Sequence, residues 1–202
     1  MLGWRMWRAE EIVHLRWLGF SLALWRYPSS LPSSGSRRKA ACLSCLPWER
    51  GTSTTPEVPS LGGQKAAFME IQLYLYRERM NRNDVMNQAM TGVRNEDLRV
   101  LAELLSRLPP PPAANETVDA ARMERGLALA RRHRCNVCHN ADLSGQANVP
   151  RIAGQREDYL LKVLREYKNG TRPGYDASMA EALQPVKEED IPDLAYFAAR
   201  QP

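Results

Sequence analysis

This 202-residue chain has few long apolar runs. It also contains only three histidines and three phenylalanines. No stretch of about 18 consecutive apolar residues occurs, so the sequence contains no secure transmembrane helix. No segment alternates apolar and polar residues in the manner of a half-buried strand. The 44% hydrophobic and 25% charged content is that of a globular protein with a packed core. Together with the helical periodicity described below, the lack of β alternation predicts an all-α fold with long loops.

An excess of positive charge is absent from most of the chain. The sequence holds 28 Lys and Arg and 23 Asp and Glu, of which seven basic and two acidic residues lie in positions 1–41. The remainder carries 21 of each sign and has no net charge. Because that body offers no overall positive field to a phosphate backbone, we do not expect a nucleic-acid partner.

The role of the N-terminal segment, residues 1–36, is poorly defined by its sequence, which has some features of an export signal and a linker. Its apolar stretch "WLGFSLALW", residues 17–25, follows several arginines, an order typical of an export signal. Two glutamates and a histidine interrupt that pattern, and no clear small-x-small cleavage site follows. An untidy or wrongly started N terminus is the alternative explanation. Residues 28–36, "PSSLPSSGS", favour a flexible linker.

The chain repeats itself. Cys42 and Cys45 recur as Cys135 and Cys138 at an offset of 93, and "VPSLGGQ" (58–64) recurs as "VPRIAGQ" (149–155) at an offset of 91. Ordered matches continue to the end of each unit, which chance resemblance would not produce. We predict two homologous domains, residues 37–108 and 117–202, separated by a proline-rich linker, residues 109–116, that cannot continue a helix.

Helical periodicity marks each of the two domains. In the second, we predict helices over Val118–Arg132 and over Tyr159–Tyr167, the latter ended by Asn169-Gly170. A last helix begins at Ile191 behind three acidic residues, whose charges suit a helix N terminus. The first domain shows the same apolar spacing at Leu98, Leu101, Ala102 and Leu105. So few short helices bury little surface, and a large apolar cofactor should fill the centre.

Residues 135–139 read Cys-Asn-Val-Cys-His, the signature of covalent c-type haem attachment. The two intervening residues set the thiols about one helical turn apart, so each can form a thioether with a haem vinyl group. The next residue, His139, then falls beneath the iron. For the sixth ligand we predict Met179, as a loop residue before the last helix, because only Met86 and Met179 recur at the repeat offset. Met123, in the first helix of its domain, favours core packing instead.

Other readings of the cysteines remain open at this point. A Cys-x-x-Cys pair can be a redox dithiol, and four cysteines can hold zinc. No βαβ pattern supports the dithiol, and zinc leaves the repeat, His139 and Met179 unexplained. His133 lies among Arg131, Arg132 and Arg134 and favours a solvated basic patch rather than a ligand. Such a patch could meet an acidic redox partner.

With these motifs the sequence resembles a tandem class I cytochrome c of the small diheme bacterial type. The resemblance covers residues 37–202 and is carried by "ERGLALARRHRCNVCHN", "VPRIAGQREDYLLKVLREYKNGTRPG", "SMAEAL" and "EEDIPDLAYFAARQP". It implies an all-α fold of two homologous domains, each a few helices around covalently bound haem. It also implies that the Pro150 carbonyl accepts the second ring N–H of His139, and that Gly126 permits the close approach of Phe197.

The first cysteine motif departs from the family pattern. Cys42, Cys45 and Met86 are present, but Leu46 replaces the histidine, and leucine has no lone pair for iron. The domain could be a structural remnant, could carry haem with an unusual ligand, or could be misreported locally. Residues 47–50, "PWER", are compatible with the codons CCA TGG GAA CGG, which contain His-Gly-Asn one base on. We therefore count one haem site as secure and leave the second open.

The resemblance implies an electron-transfer protein rather than an enzyme, with haem c supplying the redox chemistry. Single electrons would come from a quinol-oxidising complex or another cytochrome and pass to an oxidase or reductase. Because haem is attached outside the cytoplasm in this family, we expect a periplasmic or membrane-facing location. The alternatives are a cytochrome subunit docked on a larger dehydrogenase or oxidase and, from another class, a zinc-binding interaction module.

Overall fold

The computed structural model describes residues 48–49, 51–114, 117–172 and 176–202. The described residues, from Trp48 to Pro202, belong to one compact unit, to which both predicted domains contribute. Several positions discussed above lie outside the described residues: the segment 1–36, Cys42, Cys45 and Leu46. We use repeat 1 for residues 37–108 and repeat 2 for residues 117–202, and the boundaries themselves remain a prediction.

Repeat 1 consists, where it is described, of a short hairpin followed by helices. The hairpin pairs β1 (Trp48–Glu49) antiparallel with β2 (Thr52–Ser53). The helices are α1 (Ala66–Arg77), α2 (Asp84–Met90) and α3 (Asn95–Ser106). Helix α1 packs against both α2 and α3. The buried core comprises Met69, Leu73, Met90, Val93, Leu98, Leu101, Ala102 and Leu105.

Repeat 2 contains a longer set of helices. They are α4 (Ala120–Arg132), α5 (Cys135–His139), α6 (Glu157–Lys168), α7 (Ala177–Leu183), a 3₁₀ turn (Glu188–Asp190) and α8 (Ile191–Ala199). Helix α8 packs against both α4 and α6, and α7 packs on α6. Buried side chains of these helices and of the loop between α5 and α6 form a second core, separate from that of repeat 1.

The predicted helices are present with small differences at their ends. Helix α4 begins at Ala120 rather than Val118, because the Asp119 carboxylate caps it by accepting the Arg122 N–H at 3.1 Å. Helix α6 ends at Lys168, before the predicted Asn169-Gly170 pair, and Gly170 has a φ of +66°. The two-residue strands of the hairpin were not predicted, because so short a pairing leaves no alternation in the sequence.

The prediction that Met179 is a loop residue is wrong. Met179 lies in the first turn of α7, whose N-cap is Asp176. The heptapeptide that forms α7 is too short to show a full helical period, so its spacing did not reveal it.

Gly126 marks the crossing of α4 and α8, as the family resemblance implied. A Cβ atom at Gly126 would lie 2.4 Å from both the Asp193 carbonyl oxygen and the Phe197 Cβ. Beside this contact, the Tyr196 ring is stacked between two guanidinium groups, with Arg122 3.9 Å and Arg200 3.5 Å from its centroid. Close backbone approach and cation–π stacking thus hold the first and last helices of repeat 2 together.

The two copies of the repeated heptapeptide contact each other. Gln64 of repeat 1 binds the backbone of Arg151, and Gln155 of repeat 2 binds the backbone of Ser60. Residues 60 and 64 correspond to 151 and 155 at the repeat offset of 91, so the contact is reciprocal. The described part of the linker packs on the body of the protein, with Pro111 buried and its carbonyl oxygen close to Gly154.

Candidate functional site

The Cys-x-x-Cys-His motif forms helix α5. The preceding residue, Arg134, has left-handed backbone angles, φ 55° and ψ 31°, and these turn the chain sharply from the end of α4 into α5. Both cysteines are free thiols, with Cys135 half-buried and Cys138 exposed. Residues three apart on a helix share a face, so the two thiols lie on one side of α5. Burial raises the pKa of the Cys135 thiol.

His139, at the end of α5, is 6% exposed. Its Nδ1 atom lies 2.9 Å from the carbonyl oxygen of Pro150. Because a carbonyl can only accept, Nδ1 carries the proton, and Nε2 keeps its lone pair. Burial lowers the pKa of His139, with the Pro150 bond as a smaller opposing influence, and this favours the neutral imidazole. The side chain is therefore a neutral, oriented nitrogen donor.

The loop after α5 holds Pro150 in place. The Gly145 N–H donates to the His139 carbonyl at 2.9 Å. Gly145 has a φ of +72°, and a Cβ atom there would lie 2.4 to 2.5 Å from the carbonyl carbon and oxygen of Pro150. A larger residue at position 145 would thus push away the carbonyl that orients the imidazole.

Two polar side chains of this loop act on the same helix and were not singled out from the sequence. Gln146 Nε2 donates to the carbonyl oxygens of Val137 and Cys138 at 3.2 and 3.0 Å. Asn140 Nδ2 donates to the Gly145 carbonyl at 2.8 Å. These bonds satisfy carbonyls at the C-terminal end of α5 and close the loop beneath it. No spacing or composition signal distinguishes either residue from other polar loop residues.

Met179 is held by its backbone as well as by packing. Its side chain is half-buried against the core of repeat 2, which Cys135 and Met123 also contact. The Met179 N–H donates to Asp176 Oδ1 at 3.1 Å. At the other end of α7, Lys168 Nζ donates to the carbonyl oxygens of Leu183 and Gln184. Helix α7 is therefore tied at both ends.

Repeat 1 holds Met86 in the same way. Its N–H donates to Asn83 Oδ1 at 3.0 Å, and Asn83 corresponds to Asp176 at the repeat offset. Arg77 donates to the Val93 carbonyl after helix α2 at 2.9 Å, as Lys168 does to the carbonyls at the end of α7. Met86 is half-buried beside the core of repeat 1. The structure thus gives Met86 and Met179 equivalent settings.

The donor set at this site fits haem c. Two thiols three residues apart, a neutral imidazole with a free Nε2 and a half-buried thioether are the groups that c-type haem attachment requires. In the described ranges, no group of three or more His, Cys, Asp or Glu side chains is arranged to hold a metal ion. The same ranges contain no helix with the length and apolar character needed to cross a membrane.

Comparison with known proteins agrees with this donor set. No family model matches the chain. It is 35% identical over 69 residues to cytochrome c-554(548) of Halomonas halodenitrificans, which covers 33% of this chain and 83% of that protein. It is 27% identical over 171 residues to cytochrome c-552 of Acidithiobacillus ferridurans, covering 80% of this chain and 74% of that one. The chain belongs to the tandem class I cytochromes c.

The fold of this cytochrome c agrees with that assignment. The crystal structure of reduced recombinant cytochrome c4 from Pseudomonas stutzeri superposes with a TM-score of 0.70 at 22% identity, covering 83% of this chain and 97% of that one. The all-α prediction is confirmed, with the β1–β2 hairpin as a minor addition. This cytochrome c is an electron carrier with haem c as its cofactor, and it acts with redox partners rather than as an enzyme.

Proposed function

We propose that this cytochrome c carries single electrons between respiratory redox proteins in the periplasm, through a haem c held by repeat 2. Cys135 and Cys138 would form the thioethers, and His139 Nε2 and the Met179 sulfur would be the two protein ligands of the iron. The observation that carries the proposal is the buried His139, whose Nδ1 is bonded to Pro150 at 2.9 Å beside two free cysteines. An imidazole so oriented has its other nitrogen available for iron.

The chain's own residues have distinct tasks at this site. Pro150 fixes the ring orientation and the tautomer of His139, while Gly145 and Gln146 hold Pro150 and α5 in position. As an iron ligand, the Met179 thioether would favour the ferrous state and give a higher reduction potential than a second histidine would. When bound, haem supplies the one-electron iron chemistry, and the protein supplies its ligands and a dry surrounding.

Repeat 1 lacks a redox role, carries haem with an unusual ligand, or has a histidine at position 46 in the true gene product. Met86 is described and is set as Met179 is, whereas Cys42, Cys45 and Leu46 lie outside the described residues. A haem that depended on Leu46 would have no proximal donor at that position. We therefore expect one covalent haem per chain if Leu46 is present in the gene product, and two if the codons there specify histidine.

The periplasmic location rests on biosynthesis, because covalent haem attachment in this family takes place outside the cytoplasm. The apolar stretch 17–25 that could direct export lies outside the described residues. Fusing alkaline phosphatase, which folds actively only after export, behind residue 36 tests this part. An inactive fusion in cells that make the protein would contradict it.

Haem stoichiometry tests the proposal most directly. The protein is expressed with a c-type maturation system, and covalent haem is counted by intact mass and by a pyridine haemochrome spectrum. Variants Cys135→Ala and Cys138→Ala should each lose a thioether and shift that spectrum, because one vinyl group then remains unsaturated. A colourless protein with stoichiometric zinc would overturn the proposal in favour of a zinc module.

Two methionine variants separate the distal ligand from a packing residue. Met179→Leu should abolish the weak red absorption band of methionine bound to ferric haem and lower the reduction potential. Met123→Leu is the matched control, because Met123 contacts the same core, and it should preserve both properties. Retention of the band in Met179→Leu would exclude Met179 as the ligand.

A further inference from the structure

The basic residues of repeat 2 divide into two groups. Ten have an anionic or carbonyl partner within the described residues: Arg122, Arg125, Arg151, Arg156, Lys162, Arg165, Lys168, Arg172, Lys187 and Arg200. The side chains of Arg131, Arg132 and Arg134 have no hydrogen bond or ion pair there, and all three are exposed. The unpaired positive charge of repeat 2 is therefore concentrated in one place.

That place adjoins the haem-attachment motif. Arg131 and Arg132 end helix α4, and Arg134 is the N-cap of α5. Within α5, Val137 is 64% exposed, and the neighbouring Cys138 is exposed as well. We call Arg131, Arg132, Arg134, Val137 and Cys138 the arginine face. It combines an exposed apolar side chain with three exposed positive charges, the composition expected of a weak, electrostatically steered protein contact.

We infer that the arginine face is the docking surface for an acidic redox protein. The inference rests on the proposed haem attachment at Cys135 and Cys138, because a group bonded to the exposed Cys138 sulfur meets solvent within this face. Three uncompensated arginines raise the local concentration of an anionic partner and orient it toward that point. The exposed Val137 side chain can make an apolar contact with the bound partner.

A matched control exists in repeat 1. Lys65, Arg79 and Arg82 also have no ion pair or side-chain hydrogen bond among the described residues, and they lie away from the Cys-x-x-Cys-His motif in sequence and element. Changing all three to glutamine removes the same charge as changing Arg131, Arg132 and Arg134 to glutamine. The two triple variants therefore have equal net charge and differ only in where the charge was removed.

The experiment measures electron transfer from the reduced holoprotein to two small oxidants, the ferricyanide trianion and the tris(phenanthroline)cobalt(III) trication. Second-order rate constants are recorded by stopped flow from low to high ionic strength. The arginine-face variant should react with ferricyanide about tenfold more slowly at low salt and with the cobalt complex faster. Both differences should vanish at high salt, where charges farther apart than a few ångströms are screened.

The control variant should change each rate constant by less than about twofold. Equal changes in the two triple variants would overturn the inference, because the effect would then come from net charge. A second measurement uses a blue-copper protein of net negative charge: its Kd should rise about tenfold in the arginine-face variant only. Loss of binding to phosphatidylglycerol vesicles in that variant, with the Kd for the copper protein unchanged, would assign the face to a membrane instead and overturn the inference.

Failure of this inference differs from failure of the proposed function. Haem content and the methionine absorption band are measured on the same preparations and should be identical in the wild type and both triple variants. A protein with haem and an intact band but no local charge effect would lack the docking surface alone. Arg131→Gln with Arg132→Gln, which leaves the left-handed Arg134 unchanged, should show the same direction of effect if the triple variant folds poorly.

Discussion

Gln64 and Arg151 exchange two hydrogen bonds across the contact between the repeats. The Gln64 Nε2 donates to the Arg151 carbonyl at 2.7 Å, and the Arg151 N–H donates to Gln64 Oε1 at 3.0 Å. Gln155 makes the equivalent pair with Ser60, at 2.9 and 2.8 Å. Both glutamine side chains are buried; the bonds of Gln155 to Ser60 are buried and those of Gln64 to Arg151 are partly buried, so these side chains satisfy backbone groups with little access to water.

Replacing Gln64 by alanine should destabilise the protein by about 1–3 kcal/mol, because the Arg151 N–H and C=O are then left without partners. Gln155→Ala should have a similar effect through Ser60. Gln88→Ala is the control, since Gln88 is exposed, and it should change the free energy of unfolding by less than about 0.5 kcal/mol. Denaturant titration of the holoprotein measures all three. Equal midpoints for Gln64→Ala and Gln88→Ala would contradict the role of the interface.

Gly145→Ala should weaken the haem site more than Gly170→Ala does. Both glycines have a positive φ, of +72° and +66°, but only Gly145 has a backbone carbonyl within 2.5 Å of the added Cβ, whereas Gly170 has nothing within 4 Å. Gly170→Ala should therefore cost about 1 kcal/mol through its dihedral angle alone.

In Gly145→Ala, the close approach of the Pro150 carbonyl should lower the free energy of unfolding further than in Gly170→Ala. Of the two variants, only Gly145→Ala should shift the reduction potential, because it displaces the carbonyl that binds His139. Thermal unfolding and protein-film voltammetry give the two quantities. The same potential in both glycine variants would show that Gly145 does not act on the imidazole.

Asp176→Ala should loosen Met179, whereas Asp176→Asn should not. Asparagine caps the equivalent helix in repeat 1, where Asn83 binds the Met86 N–H. Removing the cap should cost about 1 kcal/mol, and the red methionine band should disappear at a lower temperature in Asp176→Ala than in the wild type or Asp176→Asn. The band is followed by absorbance during heating. If the alanine and asparagine variants lose it at the same temperature, the cap does not hold the methionine.

Asp193 should stabilise repeat 2 in a pH-dependent way. The Arg125 hydrogen bond, and then that of Arg122, lower the pKa of this carboxyl below its usual value of 3.8. A lowered folded-state pKa means that the stabilisation is fully present above about pH 4 and is lost as the pH falls through the folded-state value.

Asp193→Asn should consequently cost about 1 kcal/mol at neutral pH, and the difference from wild type should shrink in acid. Denaturant titrations at pH 7 and in acid provide the comparison. The exposed pair of Arg165 and Glu188 supplies the control, and Glu188→Gln should have a smaller effect at both pH values. A difference between wild type and Asp193→Asn that persists unchanged below the folded-state pKa would rule out the ionic origin.

The haem motif could be predicted from the sequence because its chemistry is local. Cys135, Cys138 and His139 must be close in the chain to reach one haem, so their spacing alone identifies them. The helical stripe of α3 was equally accessible, since all four of its predicted apolar positions are buried. The role of the Pro150 carbonyl as the partner of His139 was predicted from the family resemblance. No spacing rule predicts a partner 11 residues after the histidine.

What the sequence by itself determined is therefore the repeat, the helical class and the motif that attaches haem, all of which follow from short-range spacing or from self-similarity. Only the tertiary structure showed the reciprocal glutamine contacts, the closure of the Gly145 loop and the placement of Met179 in a capped helix. It also showed that three arginines lack partners among the residues it describes. Each of these features depends on which groups, distant in the sequence, lie within about 3 Å of each other in the fold, the distance at which hydrogen bonds form. That distance is set by which helix packs on which other helix, and the apolar periodicity of a single helix does not specify its partner.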